Sequence, residues 1–299
     1  MIKLKFLGVL AIGLLAASCG NDNDDIVIEN LEKSTLSVSL EGLENLGENF
    51  KYEGWVIVNG KPVSTGLFTV DDSGVASKTD FTVLATNLNA ATKFVVSIEP
   101  LIDKDAGPSD TKILSGNFSG NSAIVNSTIV ADFSTAAGTY ILATPTDGGS
   151  NTDELSGVWF LDNSSGGVKP GLILPKLSAG WKYEGWAVIN GVAVSTGTFT
   201  DASKADDNAG TSPFKGDAGN GPGYPGEDYM QNAPAGLTFP LDLRGTTLVI
   251  TAEPYPDNAL TPFTLKPLAH IVPATASDHT AIKMGDGPVQ QLTGMVTRR

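Results

Sequence analysis

Groups able to do chemistry are sparse in this sequence. Cys19 is its only cysteine, and its two histidines, His270 and His279, stand nine residues apart. Zinc sites gather Cys, His and carboxylates at short, regular spacings. Neither histidine has such a partner, so no metal and no cofactor is expected. Four glutamates recur as two matching pairs, Glu53 with Glu99 and Glu184 with Glu253. Glycoside hydrolysis requires two carboxylates at a set separation. A duplicated segment repeats its structural residues, however, whereas a cleft enzyme seldom keeps two identical sites. These glutamates therefore read as acceptors for backbone N–H groups. Asp103-Lys104-Asp105-Ala106-Gly107 and Asp206-Asp207-Asn208 offer oxygen ligands of the kind calcium takes, but neither has EF-hand spacing. They read as solvated turns. No Gly-x-Ser-x-Gly elbow and no phosphate-binding Gly-rich loop occurs, and catalysis is not expected.

Cys19 is the exception, because its surroundings give its thiol a task. Lys3 and Lys5 precede an unbroken apolar run of 12 residues, Phe6 to Ala17. A bilayer span needs about 20, so the run reads as the core of a signal peptide covering residues 1–19. It ends in Leu15-Ala16-Ala17-Ser18-Cys19, which resembles the lipobox of bacterial lipoproteins, where the cysteine sulfur receives diacylglycerol. Several acyl chains hold a protein stably on a membrane where one does so only marginally. Residues 20–33 follow as an acidic tether. Its Asp22, Asp24 and Asp25 resemble the export signal that sends lipoproteins of the Bacteroidota to the outer face of the outer membrane. The expected location is therefore the outer membrane, lipid-anchored and displayed at the cell surface.

Composition favours short strands. Charged residues are 17% of the chain, hydrophobic residues 41%, and glycine numbers 34, a balance that suits strands and turns better than helices. The net charge of -14 repels phosphate backbones, and no basic run offsets it, so nucleic acid is excluded as a partner.

An internal repeat organises the rest. Residues 50–69 and 181–200 are identical at thirteen of twenty positions at a constant offset of 131. Both contain Lys-Tyr-Glu-Gly-Trp, Asn-Gly and Val-Ser-Thr-Gly-x-Phe-Thr. A second match pairs residues 94–100 with 248–254, each ending in Glu-Pro. Each copy opens with a hairpin, in which Asn59-Gly60 or Asn190-Gly191 supplies a tight type I′ turn. Trp55 and Trp186 take matching strand positions and are expected to be buried. Between the copies, residues 138–147 and 157–162 read as two strands able to pair across the boundary. The fold expected is all-β, a tandem duplicated β-sandwich of immunoglobulin-like or related kind with closely associated repeats. The first covers residues 34–137 and the second residues 138–299. The copies differ most between Phe-Thr and Glu-Pro, where the second carries about 23 extra residues within a Gly- and Pro-rich insert, residues 204–236. Its Phe214, Tyr224, Tyr229 and Met230 make it the candidate binding loop, since apolar anchors on long loops often form recognition sites; the alternative is an Ω-loop packed on itself.

The order Tyr-Glu-x-Trp, Asn-Gly, Val-Ser-x-Gly-x-Phe and Glu-Pro resembles the extracytoplasmic C-terminal domain of anti-sigma-K-type factors, a β-sandwich. In the first copy the resemblance runs on through Pro108-Ser109 to Ile113-Leu114-Ser115-Gly116. Those regulators carry a cytoplasmic sigma-binding region and a transmembrane helix, whereas here Cys19 and the tether follow the leader directly. The fold is expected to carry over and sigma-factor inhibition is not. The function expected is that of a non-enzymatic, lipid-anchored envelope protein, binding an outer-membrane protein partner or an extracellular ligand. The alternatives are a secreted carbohydrate-active hydrolase and a periplasmic sensor related to anti-sigma systems. Replacing Cys19 with Ala should release the protein from isolated membranes into the soluble fraction, as fractionation and immunoblotting would show.

Overall fold

The computed structural model describes residues 32–149, 152–256, 259–285 and 292–299. Cys19, Asp22, Asp24 and Asp25, and with them the leader and most of the tether, lie outside the described residues. The described chain is almost entirely strand and turn, all-β as expected.

The first copy opens with β1 (Lys33–Glu41), the hairpin β2 (Phe50–Val58) and β3 (Lys61–Phe68), then β4 (Asp80–Leu84). A short helix α1 (Ala85–Ala90) leads to β5 (Ala91–Pro100), β6 (Lys112–Ser119) and β7 (Ser122–Asn126). The hairpin turn is as the sequence requires. Asn59 and Gly60 have φ of 50° and 76°, and Asn190 and Gly191 repeat this at 50° and 83°, a combination that only small or Asn-type residues tolerate well.

The repeated motif encodes a kink as well as a turn. Gly54 pairs with Gly66 but Trp55 pairs with Ser64, so Thr65 is the extra residue of a β-bulge. The second copy bulges at the same place, with Gly185 opposite Gly197 and Trp186 opposite Ser195. Glycine is obligatory on the strand at this point. A Cβ on Gly54 would lie 2.5 Å from Thr65 Oγ1, and one on Gly185 would lie 2.2 Å from Thr196 Oγ1. The bulge turns Trp55 and Trp186 inward, each 3% exposed. Their indole N–H groups donate to Ser97 Oγ at 2.8 Å and Thr251 Oγ1 at 2.9 Å.

The second half continues through β8 (Ala137–Leu142), β9 (Gly157–Trp159), β10 (Leu161–Asp162), β11 (Lys169–Pro170) and β12 (Leu172–Ile173). The hairpin β13 (Trp181–Ile189) and β14 (Val192–Phe199) comes next, then β15 (Gly226–Asp228), β16 (Thr247–Pro254), β17 (Leu268–Ile271) and β18 (Ile282–Lys283). Strands β14-β13-β16-β17 form a sheet in the same order as β3-β2-β5-β6. The two strands expected between the copies pair with one another, Ile141 opposite Trp159 and Leu142 opposite Val158, within the second half.

The last strand, β19 (Thr293–Arg298), departs from the expected boundary at residue 138. It leaves the second copy and enters the first copy's sheet, between β7 and β1. An eight-stranded sheet results, ordered β3-β2-β5-β6-β7-β19-β1-β4. Its two edges approach one another, since the rings of Phe68 on β3 and Phe81 on β4 are 6.0 Å apart. The reason β19 stays is visible at Arg298. Its guanidinium donates to the carbonyls of Leu88, Ala91 at 3.1 Å and Gly120 at 2.7 Å, and lies 4.6 Å over the Phe118 ring. A single buried core runs through both copies, from Leu36, Tyr52 and Phe94 to Tyr183, Phe199 and Ile250.

Removing residues 292–299 should strip β1 and β7 of their shared partner and leave two rows of open backbone groups. We expect loss of cooperative unfolding for the whole chain, measured by denaturant titration, rather than a small drop in midpoint.

Candidate functional site

The copies meet in a reciprocal way. Each sends the loop before its central hairpin onto the segment that follows the other copy's Glu-Pro. From the first copy, Glu44 Oε2 accepts the Thr264 N–H at 2.8 Å, and the Gly42 carbonyl accepts from Thr264 Oγ1 at 3.2 Å. From the second, the Gly180 carbonyl accepts from Thr111 Oγ1 at 3.2 Å, and Trp181 Nε1 donates to the Lys112 carbonyl at 3.2 Å. Gly180 has φ of 81°, and a Cβ there would press to 2.6 Å from Thr111.

Where these loops leave a gap, a cleft of about 340 Å³ opens between the copies. Its walls are apolar, with Leu46, Phe50, Ile98 and Pro100 from the first copy and Pro254, Tyr255, Pro256 and Phe263 from the second. Asn45, Asn49, Ser109 and Asp110 add polar groups. A pocket of this size with apolar walls and few polar groups matches the usual character of ligand sites. Next to the walls in the chain, Leu101 is 55% exposed, Ile102 81% and Leu260 85%, while Tyr255 itself is 52% exposed. These side chains extend the apolar surface beyond the gap. Lys182 Nζ sits 3.9 Å over the Tyr255 ring and pairs with Asp207 at 2.7 Å. Burial pulls the Lys266 ammonium below the usual lysine range, against the pull of Glu44 and Glu253.

The four repeated glutamates do the same work in both copies. Ser64 Oγ donates to Glu53 and Ser195 Oγ donates to Glu184. Glu99 Oε1 accepts the Ser109 N–H at 2.9 Å, and Glu253 Oε1 accepts the Phe263 N–H at 2.9 Å. Glu99 and Glu253, each 1% exposed, thus order the chain that lines the cleft. The Tyr hydroxyls add a second repeated bond, Tyr52 to the Glu44 carbonyl at 2.9 Å and Tyr183 to the Pro175 carbonyl at 2.6 Å.

Other expected candidates are not brought together. His270 Nδ1 lies 3.1 Å from the Tyr140 hydroxyl, and burial lowers its pKa below the ordinary imidazole value. His279 is near Glu154 and Asp278 instead, each at 3.9 Å. Among the described residues no three His, Cys, Asp or Glu side chains are arranged to hold a metal. Asp103 and Asp105 accept from backbone N–H groups of their own turn, Asp105 at 2.8 Å and Gly107 at 3.2 Å.

The insert corrects an expectation. Tyr229 is not displayed to a partner, while Phe214, Tyr224 and Met230 are half-buried. Tyr229 is completely buried, and its hydroxyl donates to the Val194 carbonyl at 3.3 Å. Phe214 packs on Tyr229 and Phe239 with ring centroids 6.2 and 5.8 Å apart. The Met230 N–H donates to the Phe214 carbonyl at 2.9 Å, and Tyr224 packs on Ile141, Ala143, Trp159 and Leu161. Burying the Tyr229 ring and half-burying those of Phe214 and Tyr224 offsets the freedom that Gly and Pro give this segment.

With the cleft and its loops described, the relation to known proteins can be placed. Residues 11–112 match the family described as anti-sigma-K factor rskA, C-terminal. The match begins inside the apolar run and ends at Lys112, so it takes in β1 to β5 and the first copy's wall of the cleft. The second copy lies outside the rskA match although it repeats the Tyr-Glu-Gly-Trp and Asn-Gly signals. No curated protein and no solved structure gives a significant match.

The cleft was missed in the sequence because its walls come from separate loops, joined only by the way the copies pack. The repeated Glu-Pro was the available signal, since both proline pairs border the gap. Tyr229→Ala should cost about 3–5 kcal/mol, as large aromatic core deletions do. The check is a fall in melting temperature where a displayed loop residue would give none.

Proposed function

We propose that the protein is a non-enzymatic, extracytoplasmic binding module of the cell envelope, anchored by lipid on Cys19, whose ligand enters the cleft between the copies. The observation that carries this reading is the cleft itself, which has apolar walls from both copies and an exposed apolar border. Similarity to an anti-sigma-K C-terminal domain supports a place outside the cytoplasm. The self-contained bonding of Glu53, Glu99, Glu184 and Glu253 supports binding over hydrolysis, since carboxylates tied into both copies alike are scaffold. Asp22, Asp24 and Asp25 direct display at the cell surface, where an outer-membrane protein or an extracellular ligand is the partner.

The rskA match favours a second reading, a periplasmic sensor. Protease added to intact cells separates the two, because a surface protein is cut and a periplasmic one is cut only after the outer membrane is opened.

The binding role is tested with Tyr255→Ala combined with Leu260→Ser. Both side chains are more than half exposed, so the melting temperature should hold. Affinity capture from detergent-solubilised envelopes should then lose whatever the wild type retains, with an affinity drop of about 2 kcal/mol, typical of an interface hot spot. Retention of every partner by the double variant would place binding elsewhere.

A further inference from the structure

The insert contains a feature that the cleft does not use. Gly226-Glu227-Asp228 forms β15, which pairs antiparallel with β9 so that Gly226 faces Trp159 and Asp228 faces Gly157. Three carboxylates are buried here, with Asp206 6% exposed, Glu227 3% and Asp228 0%. Buried carboxylates normally have a cation or bind a proton, because an unpaired charge away from water is costly. Asp228 is well supplied with donors. Its Oδ1 accepts Trp159 Nε1 at 2.7 Å, and its Oδ2 accepts the Thr146 N–H at 2.7 Å and Thr146 Oγ1 at 2.5 Å.

Glu227 is placed less well. It accepts from Ser212 Oγ and from the Asp228 N–H at 2.9 Å, and the charges acting on it are those of Asp206 and Asp228, both negative. Asp206 accepts the Gly226 N–H at 3.2 Å, and its other oxygen has no hydrogen-bond partner. The nearby cations are engaged elsewhere. Lys182 pairs with Asp207 and Lys215 Nζ donates to the Gly219 carbonyl at 2.6 Å. Asp207 and Asp147 add negative charge beside Asp206 and Asp228, and Tyr229 is held neutral by burial. The packed strands β9 and β14 bring no titratable side chain.

This acidic root holds down a strap. Gly221 lies so close on the Trp159 ring that a Cβ would sit 2.1 Å from it, and Gly226 lies 2.6 Å away by the same measure. Trp159 is only 2% exposed as a result. Residues 219–222 also form one wall of a groove of about 540 Å³ opposite Ile141, Leu161 and Val168.

We propose that the insert is a proton-controlled strap, closed over Trp159 while Glu227 carries a proton and released from that ring and its groove when the proton is lost. Burial pushes the Glu227 carboxyl up to about 8, from an ordinary value of 4.5, and that of Asp206 up to about 6. Closing therefore takes up a proton between those limits. Closure is firmest below the ordinary carboxylate range, weakens as pH rises, and is weakest above the raised value of Glu227.

The test is amide hydrogen exchange of residues 212–230 in the full chain at about pH 5 and about pH 8.5, corrected for the intrinsic rate. Exchange there should be about tenfold or more faster at the higher pH, while β2 and β5 stay protected. Glu227→Gln removes the charge, its amide oxygen accepting the Asp228 N–H and its amide N–H donating to Ser212 Oγ, and should stay protected at both. Should that variant not fold, Asp206→Asn serves, because removing a neighbouring negative charge must shift the transition to lower pH. Equal protection of the wild type at both values, a wild-type profile for Glu227→Gln, or an unshifted transition for Asp206→Asn would overturn the proposal. Restored protection at the higher pH on adding calcium alone would also overturn it, since the root would then be a cation site.

Discussion

Strand pairing at the two ends of the chain constrains everything else in this molecule. Without β19, β1 would face β7 across an empty position, and six residues of β1 and five of β7 would lose the strand they pair with. Meeting that requirement forces the chain to return from the second copy and finish inside the first. The second copy is thereby held at both of its ends, by β8 where it begins and by β19 where it stops. Two domains on a linker would be free to rotate, and their shared border would be a transient contact. Here the border is fixed, and so is the gap it encloses.

The duplication explains how one motif supports two different surroundings. Bulge, turn and Glu-Pro are strictly local devices, and each copy satisfies them with its own residues. Tyr52 stacks on Phe68 at 5.4 Å and Tyr183 on Phe199 at 5.6 Å, as one case. The flanking strands carry the differences. The first copy completes an eight-stranded sheet, whereas the second stops at four strands and adds β15 to a separate small sheet. Apart from β19, partnership between the copies thus falls on their loops, where Gly180 and Thr264 make contacts that have no counterpart within a copy.

Local signals were readable in the residues, and distant ones were not. Asn59-Gly60 specifies its turn by backbone conformation alone, and Tyr52 to Val58 is a β-prone run with two largely apolar faces. The buried tryptophans followed from the same pattern. Nothing in the six residues of β19 names their partner, and proximity in sequence pointed to the wrong copy. The insert misled for another reason. Its glycines suggested an exposed loop, although Gly221 and Gly226 are small because a tryptophan ring lies against them. Burial of Glu227 and Asp228 is a tertiary effect that composition cannot carry.

The position of β19 also sets an order of events in time. Leu36 pairs with Arg298, a contact between nearly opposite ends of the chain, and such contacts form late because a long loop must close first. A chain that emerges from its N-terminus presents β1 and β7 early, with no third strand to join them. The first copy waits, open-edged, until the final residues arrive. During that interval its unpaired strands resemble the species that associate wrongly in large β-proteins. The protein therefore depends on whatever shields those edges while it is being made.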